Sequence, residues 1–231
     1  MSGMYVPDAF RQDDPRALFE HMSAYPFATL ITSAAPSPSP CPSPSPASAS
    51  RSVSAAASAA ELSVSHVPLL LDLDAATATG RPVLRGHLAR ENPQVGDLAN
   101  GTEALAIFHG PHGYVSPSAY VDPRPSVPTW NYAVVHVRGR ARLVGGPELR
   151  AILEGTVARF DTSSWRLDES PEFLDRMLGA IVGFEIAIEA VQGKWKLSQN
   201  RSPEDRRAVA AWLEGGDPSS QTLARTMRAS F

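Results

Sequence analysis

The run from Tyr132 to Val144 alternates with period two: Val135 and Val137 stand opposite His136, Arg138, Arg140 and Arg142. Successive strand side chains point to opposite faces, so this pattern builds a long strand with one buried and one solvated face. A second run does the same. Between Ile181 and Val191, Phe184, Ile186 and Ile188 alternate with Glu185, Ala187 and Glu189. Gly139 interrupts the first run and is expected to mark a β-bulge. Shorter β-prone runs cover 27–32, 64–73, 82–87, 104–108 and 114–116, most of them bounded by Gly, Pro or Asp. They follow one another without a strand-helix-strand rhythm. That order argues against a Rossmann sheet and for a mainly β fold, a split or Greek-key β-barrel with peripheral α-helices.

Helix signals fall between and after these runs. Asp14-Pro15 reads as an N-cap and first helical position, with Leu18, Phe19 and Met22 at helical spacing before Tyr25-Pro26 stops the turn. Asn92-Pro93 caps a short helix reaching Asn100-Gly101, Pro147 opens a helix carrying Leu149, Ile152 and Leu153, and Pro171 opens another through Leu178. Ser202-Pro203-Glu204-Asp205 is a helix start and Gly215-Gly216 a stop, so 202–231 is expected to be a C-terminal helical segment. All 231 residues fit a single domain. Within it, 33–61 alternates Pro with Ser and then turns to Ala and Ser, a composition with too little apolar surface to offset its ordering entropy. It reads as a disordered hairpin insertion.

Several function classes are disfavoured by what the chain carries. Its formal charge is -3, with 21 basic against 24 acidic residues, whereas duplex DNA is held largely through phosphate neutralisation by Lys and Arg. The basic clusters, Arg138 to Arg142 and Lys194 to Arg207, do not resemble a recognition helix, which argues against direct nucleic-acid binding. A single cysteine, Cys41, excludes an internal disulfide, and no Cys/His spacing suggests a metal site. With no apolar leader and no long apolar run, no membrane association is expected and the cytoplasm is the expected location. Gly-x-Ser-x-Gly and Gly-x-Gly-x-x-Gly are both absent.

Two blocks carry the chemistry: Val127-Pro128-Thr129-Trp130-Asn131-Tyr132 and Lys194-Trp195-Lys196-Leu197-Ser198-Gln199-Asn200-Arg201. Each sets a rigid aromatic among hydroxyl, amide and cationic groups at a strand end, as a flat, phosphorylated ligand such as FMN requires. A flavin phosphate is dianionic and wants charge-assisted donors, for which Arg90, Lys196, Ser116 and Thr129 are candidates. The isoalloxazine edge needs amide partners and its faces prefer aromatics, which points to Trp130, Asn131, Gln199 and Asn200. Blander readings stand beside these. Lys196 also reads as a solvated lysine beside Trp195, Arg90 as a helix-entry ion pair, and Trp130 as a core anchor. His66, His87, His109, His112 and His136 read either as satisfied structural histidines or as groups for haem, metal or proton transfer. Of these, His87, paired with Arg90 where a strand turns into a helix, is the candidate for direct cofactor contact.

These blocks, with Met4-Tyr5-Val6-Pro7, Pro26 to Leu30, Ser65 to Leu69, Arg85 to Arg90, Asn92-Pro93, Phe108 to His112, Tyr114 to Pro117 and Tyr120, resemble the PaiB family of FMN-binding split barrels, described as negative transcriptional regulators. The resemblance runs in one order along the chain and is interrupted around 33–61. It implies FMN as cofactor, a homodimer whose ligand is contacted partly from a second subunit, and Asn92 and Tyr120 as further members of the cofactor-binding set. It leaves open a flavin-dependent oxidoreductase or flavin reductase, and a haem-binding split barrel, as other uses of the architecture. Ala119 stands where the resemblance leads one to expect Trp, which would leave a larger pocket or a weaker hold on the ligand.

Overall fold

The computed structural model of the chain describes residues 3–33, 61–74, 80–121, 126–163, 165, 167 and 171–231. The strands are β1 Arg11–Gln12, β2 Phe27–Ser33, β3 Leu62–Pro68, β4 Leu70–Asp72, β5 Val83–Ala89, β6 Glu103–Val115, β7 Thr129–Val144 and β8 Ile181–Lys196. The helices are α1 Pro15–Ala24, α2 Gln94–Ala99, α3 Gly146–Phe160, α4 Pro171–Ala180, α5 Pro203–Glu214 and α6 Pro218–Arg228.

All strand pairs are antiparallel, in the order β3-β2-β6-β7-β8-β5-β4, with β1 added along β8. The sheet curls so that Leu30 of β2, Phe108 of β6, Val135 of β7, Phe184 of β8 and Leu84 of β5 meet in one core, into which α1 inserts Leu18 and Met22. Each such side chain contributes about 1.5–3 kcal/mol by leaving water. This is the barrel that the alternating runs predict. The alternation of β7 holds, with Val135 and Val137 fully buried. Gly139 sits at a register shift between Arg138 and Gly139, where a Cβ would lie 2.0 Å from the carbonyl oxygen of Ala187.

Two strand assignments differ from expectation. The runs at 104–108 and 114–116 are one strand, β6, because Gly110-Pro111 does not end it but sits inside a bulge between His109 and His112. A bulge tolerates a proline, which has no N–H to give to the ladder. The run at 64–73 divides at Leu69, whose N–H donates to the Pro26 carbonyl, so β3 and β4 lie on opposite edges of the sheet. Ser33 pairs with Leu62, which makes the expected insertion the connection of the β2–β3 hairpin; residues 34–60 lie outside the described residues.

The helix signals hold. Asp14 accepts from the Arg16 N–H at the start of α1, and Ser202 accepts from the Asp205 N–H at the start of α5. Helices α5 and α6 build a second core, in which Val209, Leu213, Leu223 and Met227 cover Val115, Tyr120 and Leu197 at one end of the sheet. The sheet's outer face is open along β3, β2, β6 and β7: Phe27 is 64% exposed and Val64 is 54% exposed. Among the described residues no helix is long and apolar enough to cross a membrane.

Candidate functional site

Antiparallel register brings the two signature blocks side by side. Tyr132 pairs with Lys196 and Ala133 with Trp195, so the start of β7 lies against the end of β8. The Lys196 ammonium donates to Thr129 Oγ1 at 2.5 Å and to the Trp130 carbonyl at 2.7 Å. Two further cations lie near it. The Arg201 guanidinium sits 4.5 Å over the Tyr120 ring and donates to Ser126 Oγ, while Lys194, two residues along the same strand face, donates to the Tyr5 carbonyl between the Tyr5 and Tyr132 rings. Burial lowers the Lys196 pKa first, and the fields of Lys194 and Arg201 lower it further. Among the described residues no carboxylate pairs with any of the three. A dianion would relieve that repulsion. This uncompensated cluster, with the Thr129 and Ser126 hydroxyls beside it, fits a flavin phosphate.

Trp130 is 47% exposed, which removes the core-anchor reading. Its indole N–H donates to His112 Nδ1 at 3.3 Å, the two rings stack at 5.9 Å, and Tyr114 meets the indole edge-on. It is therefore a held, solvent-facing aromatic surface. Beside it lies an open groove of about 260 Å³ lined by His109, Gly110, His112, Trp130, Tyr132, Ala133 and Val134.

The remaining candidates divide. Asn131 is fully buried on the other face of β7, donating to Ser198 Oγ at 2.9 Å and to Met227 Sδ, with its Oδ1 lacking a partner. It secures the turn at Ser198, a non-glycine residue at φ 65°, and cannot touch a ligand in the groove. Gln199 bonds back to its own turn, accepting from the Leu197 N–H and donating to the Trp195 carbonyl, and Asn200 is exposed next to it. Ser116 caps the short turn Pro117–Ala119 by accepting from the Ser118 N–H. Tyr120 is buried in the second core, its ring serving as the seat of Arg201. Ala119 is buried in that same core, so its small side chain is enclosed by the C-terminal helices.

His87, Arg90 and Asn92 lie elsewhere. His87 pairs with Gly183 near the start of β8, whereas Lys196 ends that strand, roughly 40 Å along the chain at about 3.3 Å per residue. Burial lowers the His87 pKa. Arg90 donates to the Gly179 and Ile181 carbonyls, closing the end of α4 instead of forming the expected ion pair. Asn92 accepts from the Gln94 N–H at the start of α2 and donates to Ser65. One chain thus brings together Thr129, Trp130 and Lys196, with Ser116, Tyr120, Gln199 and Asn200 around them, but not His87, Arg90 or Asn92. Arg201 and Ser126 join the site unpredicted, because what marks them is their seat beside Tyr120 and Lys196, far apart in sequence.

The strand arginines behind the DNA question are paired: Arg138 with Glu103, Arg140 with Glu189, and Arg142 with Glu148 and the buried Glu185. Among the described residues no group of three or more His, Cys, Asp or Glu is placed to hold a metal.

Residues 4–190 match the sequence profile FMN_bind_2, described as "Putative FMN-binding domain". The chain belongs to this family. It is 36% identical over 149 residues to "Protease synthase and sporulation protein PAI 2" of Bacillus subtilis, covering 62% of this chain and 71% of that one, which bears out the PaiB resemblance. It is 30% identical over 204 residues to "Uncharacterized protein AN0679" of Emericella nidulans, covering 71% and 80%. Among solved structures, the FAD and heme binding protein from Mycobacterium smegmatis superposes over 90% of this chain and 80% of that one, at 15% identity and a TM-score of 0.51. The flavocytochrome Anf3 from Azotobacter vinelandii superposes over 85% and 74%, at 15% identity and a TM-score of 0.52. These two likenesses establish the split-barrel fold alone. Membership of the family brings FMN as the cofactor. The matched span stops at 190, so Lys196 and Arg201 lie beyond it.

Proposed function

We propose that this chain is a homodimeric FMN-holding protein that grips the cofactor phosphate with Lys196 and Arg201 and lays the isoalloxazine against Trp130. The observation that carries the reading is the carboxylate-free cluster of Lys196, Arg201 and Lys194 beside an exposed, hydrogen-bonded tryptophan. Thr129 and Ser126 hydroxyls complete the phosphate shell, and Asn131 positions the Ser198 turn from beneath. His87, Arg90 and Asn92 are left to cap and pack the far end of the barrel. When bound, FMN supplies electron and hydride transfer, and the protein supplies orientation and electrostatics.

A second copy is part of this proposal because the groove beside Trp130, lined by β6 and β7, is open to solvent. The open outer face offers the area. Four strands about 4.8 Å apart and roughly seven residues long make a patch of about 440 Å², so two such patches bury on the order of 900 Å², just under the roughly 1,000 Å² of a specific interface. The longer β6 and β7 add to that. The single cysteine suits a reducing compartment, and the cytoplasm is the location proposed.

Titration of the protein with FMN and with riboflavin tests the cofactor reading: FMN should bind more tightly by the worth of its phosphate. Failure to bind either flavin at tens of micromolar would overturn it. A flavin-dependent oxidoreductase is favoured as a second reading by the groove itself, which leaves space beside Trp130 flanked by His109 and His112 for a small electron acceptor or donor. Bleaching of bound flavin by a nicotinamide donor, followed by reoxidation with turnover, would support it.

A further inference from the structure

Four of the six histidines share the outer face of the sheet: His66 on β3, His109 and His112 on β6, and His136 on β7. They form one neighbourhood. His66 Nδ1 and His109 Nε2 share the Thr29 hydroxyl, each at 3.2 Å. His112 Nδ1 accepts from the Trp130 indole N–H, and because an indole nitrogen only donates, that ring nitrogen must carry a lone pair. His109 and His136 have pKa values lowered first by burial and then by neighbouring imidazoles, His112 and His66 acting on His109, and His109 acting on His136.

The charges nearest this cluster are cations. On β8 the same face carries Lys194 and Lys196, opposite Val134 and Tyr132. On β7 and β6 it carries Arg138 and its partner Glu103 at the far end of the strands, while β1, paired along β8, brings Arg11 with its partner Asp8 opposite Lys194, and Asp13 shares a groove with Gln192. β2 contributes Phe27, Thr29 and Ile31 and no charge, β3 adds Val64, the N-terminal segment brings Tyr5 to Lys194, and the end of α1 brings Tyr25 beside a groove lined by Phe27, Thr29, His66 and His109. Protonated imidazoles on this surface therefore meet one another, cations and apolar groups first, with the carboxylates of Glu103, Asp8 and Asp13 at its margins.

We propose that this outer face is a self-association surface that closes on a second copy only while its imidazoles are neutral, so that mild acid separates the protomers. The inference rests on the homodimer proposed above and adds its regulation. A two-fold axis brings the face against itself, so each histidine enters the interface twice and finds the same like-charged surroundings opposite. An imidazole required to stay neutral contributes fully above its free pKa, and that contribution is lost as the pH falls below it. One pH unit below the titration point each imidazole weakens association about tenfold, so one symmetric pair weakens it about 100-fold.

Sedimentation of the purified protein at pH about 7.5 and about 5.5, with circular dichroism alongside, tests this within the range where histidine titrates. The expected result is a dimer at the higher pH and a folded monomer, at least 100-fold weaker in association, at the lower. The double variant His66→Asn, His136→Asn should stay dimeric to lower pH than the wild type. Equal dimer affinity at both pH values, or a double variant that dissociates as the wild type does, overturns the switch while leaving the dimer standing. A monomer at both pH values overturns the dimer itself.

Discussion

Lys196→Ala is expected to weaken FMN binding and to leave riboflavin binding nearly unchanged. The ammonium is half-buried and already oriented by Thr129 and the Trp130 carbonyl, so a phosphate meets a donor that needs no rearrangement. Loss of one charge-assisted contact costs about 1.5–3 kcal/mol, and each 1.4 kcal/mol is tenfold in Kd, which gives an increase of about 10- to 150-fold. Arg201 and Lys194 remain in the variant, so part of the phosphate's electrostatic hold should survive. The flavin-free variant should be no less stable than the wild type. Alanine removes a cation that burial, Lys194 and Arg201 all disfavour, and the carbonyl it abandons lies at an exposed position where water replaces the bond. Because those causes lower the Lys196 pKa, its charged form is lost at a lower pH than for an ordinary lysine. FMN affinity of the wild type should therefore fall as the pH rises through that point, a limb the variant lacks. Fluorescence titration with both flavins, with melting curves of the flavin-free proteins, gives all of these. Equal losses for FMN and riboflavin, or an unchanged FMN affinity, would refute the phosphate assignment.

Trp130→Ala should weaken FMN and riboflavin alike while lowering the melting temperature little, because the ring is half-exposed; a large stability loss with intact flavin binding would contradict its place against the isoalloxazine. Gly139→Val should destabilise the fold by about 3 kcal/mol or more in urea titration, since its side chain would enter the space of the Ala187 carbonyl and the Ile186 side chain. Deleting residues 35–59 should leave the melting temperature within a few degrees of the wild type, because Ser33 and Leu62 already pair and a shorter connection lowers the closure entropy only logarithmically; loss of soluble protein would count against it.

The strands that carry the fold were legible because apolar side chains recur on one face of each. Val135, Val137, Phe184 and Ile186 announce a period of two whatever lies across from them, and Gly139 announces the bulge. In sequence β6 looks like two pieces because Gly110-Pro111 resembles a terminator to any local rule; only the register against Val134 and Tyr132 shows the strand resuming. The site was legible in part for the same reason. Trp130 and Lys196 sit at strand ends, where local sequence shows both the aromatic and the charge. Arg201 was not singled out, since its distinction lies in what surrounds it: Tyr120 beneath, Lys196 nearby and no carboxylate partner. The candidacy of Arg90 fails in a single chain for the converse reason, because its guanidinium is taken up by carbonyls at the end of α4, some ninety residues onward.

β8 runs without interruption from Ile181 to Lys196, yet the span matched by the family profile ends at residue 190, partway along it. The border seen by comparing sequences is thus not a border in the folded chain. A protein cut there would strip the partner from β7 between Tyr132 and Val137 and leave a row of unsatisfied amides and carbonyls at a new sheet edge, the kind of surface on which chains stick to one another. It would also discard both helices that roof Asn131 and the turn at Ser198. The matched span thus stops short of a strand end and a lid on which the fold depends.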